Sequence, residues 1–144
     1  MANILFEPGS PSFMELIGNG KTLTVPKYQR DYSWDYEEWD DLWNDIEGIE
    51  NEKIHYMGYV ALQKTNNPLE FIIVDGQQRI TTLSILALGV INLLQGWINQ
   101  DVGVKDNKKR VEILSDKFIG FTPAASLMPV SKLRLNRNND DFYK

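Results

Sequence analysis

Residues 69–95 read LEFIIVDGQQRITTLSILALGVINLLQ, and the parsing of this stretch decides the fold. Phe71, Ile72, Ile73 and Val74 form a short apolar run that reaches Asp75, the pattern of a buried strand. Gly76, Gln77, Gln78 and Arg79 turn the chain. Ile80, Leu83, Ile85, Leu86, Leu88, Val90, Ile91, Leu93 and Leu94 then leave almost no polar side, which predicts a helix over 79–95 buried on nearly all sides. An ordinary corner between two core elements needs only Gly, Asn or Pro punctuation. DGQQR carries far more functional chemistry than a corner requires, and we read it as the site.

Working outward, Tyr56 to Lys64 and Leu69 to Asp75 read as strands, and Thr65, Asn66, Asn67 and Pro68 supply the turn of a hairpin. Trp39, Leu42, Trp43, Ile46 and Ile49 recur at helical spacing between Tyr36 and Glu52, predicting an amphipathic helix with an acidic outer face. Trp34, Trp39 and Trp43 are expected in core and lid positions. Residues 25–34, VPKYQRDYSW, are expected to leave a strand over Lys21–Val25 and form an ordered loop, because Pro26 enforces an extended exit. Residues 10–18 carry the start and stop signals of a short helix.

Beyond the long helix, residues 96–104 break the pattern and Lys105 to Ile119 predicts a second helix. Pro123 and Pro129 bracket a loop, Ser131 to Leu135 reads as a last short strand, and Asn138 to Lys144 begins something polar. The sum is an α+β domain spanning 1–144. With no closing element in view, it is expected to be the N-terminal part of a longer protein.

Composition removes several chemistries. There is no cysteine and one histidine, His55, so disulfides, thiolate nucleophiles, a zinc site and a Ser-His triad are not expected. The most apolar window, residues 83–94, is shorter than the roughly 20 residues that cross a bilayer, so no membrane partner is expected and the cytoplasm is the default compartment. The net charge of −5 is unevenly divided. Residues 31–52 hold ten acids and no Lys or Arg, whereas residues 105–137 hold eight bases against three acids. A polyanion would meet the second region, Lys132 and Arg134 included.

The turn itself suits an anion. A helix start presents unpaired N–H groups and partial positive charge. Gly76 lets a ligand approach the backbone, and Arg79 offers a planar fork of donors for phosphate oxygens. Gln77 and Gln78 donate or accept, and Thr81 and Thr82 place hydroxyls on the first turn. Asp75 suits a divalent cation, an oriented water or a ribose hydroxyl, and the residues alone do not choose among these. A purely structural network, with Asp75 paired to Arg79 and the Gln side chains serving backbone groups, is the competing reading.

Val25 to Trp34, VPKYQRDYSW, followed by Val74 to Leu83, VDGQQRITTL, resembles the N-terminal domain of GmrSD-type restriction proteins. Asp45-Ile46, Gly58 and the closing Lys132 to Leu135 fit the same pattern, so the resemblance spans most of the chain. It implies a ParB/sulfiredoxin-like fold, a small mixed sheet packed against several helices, in which Gly76-Gln77-Gln78-Arg79 stands where that fold builds its nucleotide site. It further implies binding and hydrolysis of a nucleoside triphosphate, with Mg²⁺ as companion, licensing a separate HNH nuclease domain or subunit to cut modified phage DNA. One histidine and no cysteine cannot furnish that nuclease here. On this reading Asp75, Gln77, Gln78 and Arg79 are the catalytic candidates and Asp75 the metal ligand. Gly76, Arg79, Arg30, Gln29, Tyr28, Thr81 and Thr82 bind the nucleotide, with Tyr28 and Tyr32 walling base or ribose. The rivals are a non-enzymatic ParB-like module that senses DNA and an interaction module docked through the acidic helix.

Overall fold

The structure, a computed structural model, describes residues 12–18, 20–28, 31–51 and 58–135. His55, Gln29, Arg30, Glu52, residues 56–57 and the polar segment from 138 lie outside them. The element order is α1 (Phe13–Ile17), β1 (Thr22–Thr24), α2 (Tyr36–Gly48), β2 (Ala61–Lys64), β3 (Glu70–Asp75), α3 (Gln77–Asn99), α4 (Val104–Leu114), a π-helical turn (Ser115–Ile119), β4 (Gly120–Phe121), β5 (Val130–Ser131) and β6 (Leu133–Arg134). This is a mixed α+β domain, as the sequence predicts.

Four strands form one mixed sheet in the order β2-β3-β1-β6, and β4 pairs with β5 in a separate two-stranded ribbon. β1 lies parallel to both neighbours, with Leu23 opposite Phe71 on β3 and Leu133 on β6. The alternating pattern of β1 places Leu23 in the interior, where it is fully buried with Ile17, Ile73, Ile80 and Leu133. Burial of one such side chain contributes about 1.5–3 kcal/mol. Ile73 and Ile80 stand on either side of the DGQQR turn, so the turn is pinned at both ends to the core. The β2–β3 hairpin is antiparallel and shifts register between Ala61 and Leu62, whose partners are Asp75 and Ile73. This irregularity redirects the sheet where it delivers Asp75.

The two N-terminal helices begin as their sequences require. Ser12 and Glu15 form a capping box on α1, and Asp35 and Glu38 form another on α2.

Several expectations are corrected. α3 is not buried on nearly all sides: Ile85, Val90, Leu93 and Trp97 are exposed, while Ile80, Leu94 and Ile98 are buried. The reason is dimensional. A helix of 23 residues runs about 34 Å, whereas the longest strand, six residues, spans about 20 Å. Ile80 on the first turn packs into the core with Leu23, Ile73 and Leu133 of the sheet, and α4 and the π-helical turn also pack against α3. Apolar composition marks what can be buried, not how much neighbouring surface exists to bury it. As a helix from 77 to 99, this segment is also long and apolar enough to cross a membrane, with a mean hydropathy of 1.5 over 18 residues. Residues 96–99, expected to break the helix, continue it, and this extension beyond the apolar window 83–94 supplies the length. The first two turns of α3, however, bury Gln78, Ile80, Thr81, Thr82 and Ser84 within the domain.

The second correction concerns α2, where Leu42 is buried but Trp39 and Trp43 are 42% and 50% exposed. Neither tryptophan is a core residue. The indole N–H of Trp43 donates to Glu47 one turn along the same helix.

Lys132 departs from its expected place on a basic surface. It is 3% exposed, and its ammonium donates to the Lys117 carbonyl at 2.8 Å, in the middle of the π-helical turn. Burial lowers its pKa from the ordinary 10.5, with the charge of Asp116 acting in the opposite direction. A lowered folded-state pKa means that the unfolded chain binds more protons between that value and 10.5. Stability therefore rises with pH across that window. In urea titrations, the stability of the parent relative to Lys132→Met is expected to increase as pH climbs toward 10.5.

Candidate functional site: the turn between β3 and α3

Gly76 makes the turn in the left-handed region, φ 91° and ψ 8°, and serves as the N-cap of α3. A side chain at this position is disfavoured for two reasons. The backbone angle is strained for any L-residue with a Cβ. The added Cβ would also stand 3.0 Å from both the Tyr59 carbonyl oxygen and Val60 Cγ2. The Gly76 N–H donates to Asp75 Oδ1 at 2.9 Å, orienting the exposed carboxylate at the end of β3. Among the described residues, no side chain caps α3.

Gln78 faces inward and is 7% exposed. Its Oε1 accepts from the Ser33 N–H at 2.8 Å, and its Nε2 donates to the Asp31 carbonyl at 3.3 Å. One buried amide thus clamps two backbone groups of a loop more than forty residues earlier. One turn on, the Thr82 hydroxyl donates to the Gln78 carbonyl at 2.8 Å and lies 2.7 Å from the Tyr32 hydroxyl. Trp39 Nε1 donates to the same Tyr32 oxygen at 2.7 Å.

Arg79 is half-buried on the open side of the turn. Its guanidinium lies over the Trp34 ring, 5.8 Å from the centroid. Gly58 stands against it from the other side: with φ 90°, its backbone approaches so closely that a Cβ would collide with Arg79 Nη1. Among the described residues Arg79 has no ion pair with Asp75, so the expected alternative of an Asp75–Arg79 bridge is not formed. An aromatic face and a bare glycine hold the cation, and neither neutralises its charge.

The turn therefore combines an exposed carboxylate, a helix start without a side-chain cap and an arginine held by uncharged groups. The family model for the GmrSD restriction endonuclease, N-terminal domain, matches residues 13–143. The chain belongs to this family. No curated protein matches it. Membership makes it a component of a restriction system.

In this GmrSD N-terminal domain, the candidates drawn from the sequence divide by position. Asp75, Gly76, Gln77, Gln78 and Arg79 form the turn, with Gln77 half-buried at the first position of α3. Thr81 and Thr82 are 3% and 8% exposed, so both face the interior of the domain. Tyr28 is 76% exposed, while Tyr32 is half-buried and bonded beneath the loop. Gln29 and Arg30 are outside the described residues. For the metal proposed at Asp75, no group of three or more His, Asp or Glu side chains stands together among the described residues. One carboxylate fits a Mg²⁺ that takes its remaining ligands from phosphates and water.

One part of the candidate site has no counterpart in the sequence reading. Residues 58–60 form its second wall, and the sequence signal was Gly58 inside an expected strand, a position that implies close backbone approach. The clamp by Gln78 is the part of the competing structural reading that holds, a Gln side chain serving backbone groups, and what residue type does not show is that those groups belong to Asp31 and Ser33.

Proposed function

We propose that this GmrSD domain binds and hydrolyses a nucleoside triphosphate and thereby regulates an HNH nuclease domain or subunit that cuts modified DNA. The observation that carries this reading is Arg79, set against Trp34 and Gly58 with no ion pair among the described residues, beside the first turn of α3. A triphosphate supplies what that arrangement lacks: negative charge for the helix start and planar acceptors for the guanidinium. Gln77 and Asp75, at the mouth of the turn, orient the attacking water. Mg²⁺ on Asp75 would offset phosphate charge. Gln78 and Thr82 lie inside the turn, and Arg30, Gln29 and Tyr28 are the further residues we assign to nucleotide binding. The fold we assign to this activity is ParB/sulfiredoxin-like, and the compartment is the cytoplasm. The test is phosphate release from ATP and GTP with Mg²⁺ by the purified chain, with Arg79→Ala as control.

A second reading is a DNA-sensing module without turnover. The exposed Lys105, Lys108, Lys109 and Arg110 of α4 favour it, because a cluster of bases on one helix suits a phosphate backbone. Duplex binding that weakens steeply with salt, together with no phosphate release, would select it over the first.

A further inference from the structure

Given the nucleotide reading of the turn, we propose that Tyr32 and Trp39 are positioning residues that latch the loop 31–35 over Arg79 and couple α2 to the site. The four groups between Trp39 and Gln78 form a chain with one direction. Indole Nε1 has only a proton to give, and it gives it to Tyr32. The Thr82 proton goes to the Gln78 carbonyl, so the short 2.7 Å contact between the hydroxyls is Tyr32 donating to Thr82. The first two donors point from α2 through the loop to α3 and the third bond continues within α3, the arrangement in which successive hydrogen bonds polarise and strengthen one another.

The loop has no regular secondary structure of its own. It is fixed at three successive residues, by the Asp31 carbonyl and Ser33 N–H on the Gln78 amide and by the Tyr32 hydroxyl on Thr82. The next residue is Trp34, whose ring lies over Arg79. Holding the loop therefore holds the ring, and the ring sets where the guanidinium rests. Trp39 is 42% exposed, so burial alone does not account for its directed N–H. A displacement of α2 would pass through Trp39 and Tyr32 to the phosphate-facing arginine.

Trp39→Phe and Tyr32→Phe each keep a ring and remove one hydrogen bond. Without nucleotide, NMR exchange of the Ser33 amide is expected to accelerate about tenfold in each, the equivalent of one net hydrogen bond. The double variant is expected to be no worse than Tyr32→Phe alone, because both belong to one chain. Affinity for ATP or GTP with Mg²⁺ is expected to fall five- to tenfold while the thermal midpoint stays close to the parent's. Unchanged Ser33 exchange in both variants would overturn the latch. So would a lowered midpoint with parental affinity, which marks a merely structural role. If the parent binds neither nucleotide, the nucleotide reading falls, and Ser33 exchange alone still upholds or overturns the latch.

Discussion

Arg79→Ala is expected to reduce nucleotide hydrolysis by about 10²–10³-fold, the effect of losing a donor aimed at charge that develops in the transition state. Equilibrium binding of the triphosphate is expected to weaken about 10–100-fold, because a charge-assisted, two-pronged contact to phosphate is lost. The fold should scarcely notice. Arg79 is half-buried and has no ion pair with Asp75 among the described residues, and its contact with Trp34 is a cation over a ring, worth about 0.5–1 kcal/mol. Activity and melting temperature thus separate cleanly in this variant. Gly58→Ala probes the same group without removing it. Its new Cβ displaces Arg79 Nη1, and misplacing a catalytic group by about 1 Å costs up to 10²-fold. Loss of hydrolysis in both variants assigns the role to the placed guanidinium, whereas loss in Arg79→Ala alone assigns it to charge at any position.

Gly76→Ala is expected to have the largest effect on stability, about 2 kcal/mol or more, from the positive φ and from the contacts with Tyr59 and Val60. For a chain of this length the melting temperature would drop by roughly 6–10 °C. The Tyr59 oxygen belongs to the backbone and cannot rotate away, so relief requires the 58–60 segment or the helix start to move. Either shift disturbs Arg79, which rests on Gly58, and nucleotide binding should weaken along with stability. Gly76→Asn shares the Cβ but tolerates left-handed backbone better. The difference between the two variants in differential scanning calorimetry therefore separates backbone strain from crowding.

Much of this architecture was legible from side-chain patterns. The run Phe71 to Val74, the break at Asp75-Gly76 and the apolar stretch after Ile80 give β3, the turn and α3 in order. What the patterns do not hold is the extent of cover. Ile85, Val90 and Leu93 look like core residues, and the shortness of the strands leaves them exposed. The same limit applies to Trp39 and Trp43, whose spacing fits a buried stripe that the fold leaves largely open. Lys132 errs in the opposite direction. It reads as a surface base, and only the placement of the Lys117 carbonyl shows why it is inside. Within the site, the chemistry of the turn could be read from residue type, but long-range partners could not. Ser33 and Gln78 are 45 residues apart, and a bond between a backbone N–H and a side-chain amide leaves no trace in composition.

The turn binds the triphosphate, on this account, through the first N–H groups of α3 and through Arg79. The most direct measurement is a titration of the ¹⁵N-labelled chain with ATP or GTP in the presence of Mg²⁺, following the amides of Gly76, Gln77, Gln78 and Arg79 and the Arg79 Nε–H. Saturable shifts centred on these five signals are expected, with the remaining amide shifts in Arg79→Ala saturating at about 10–100-fold higher nucleotide. Saturation that leaves them in place, or no saturable change at millimolar nucleotide, would contradict the account.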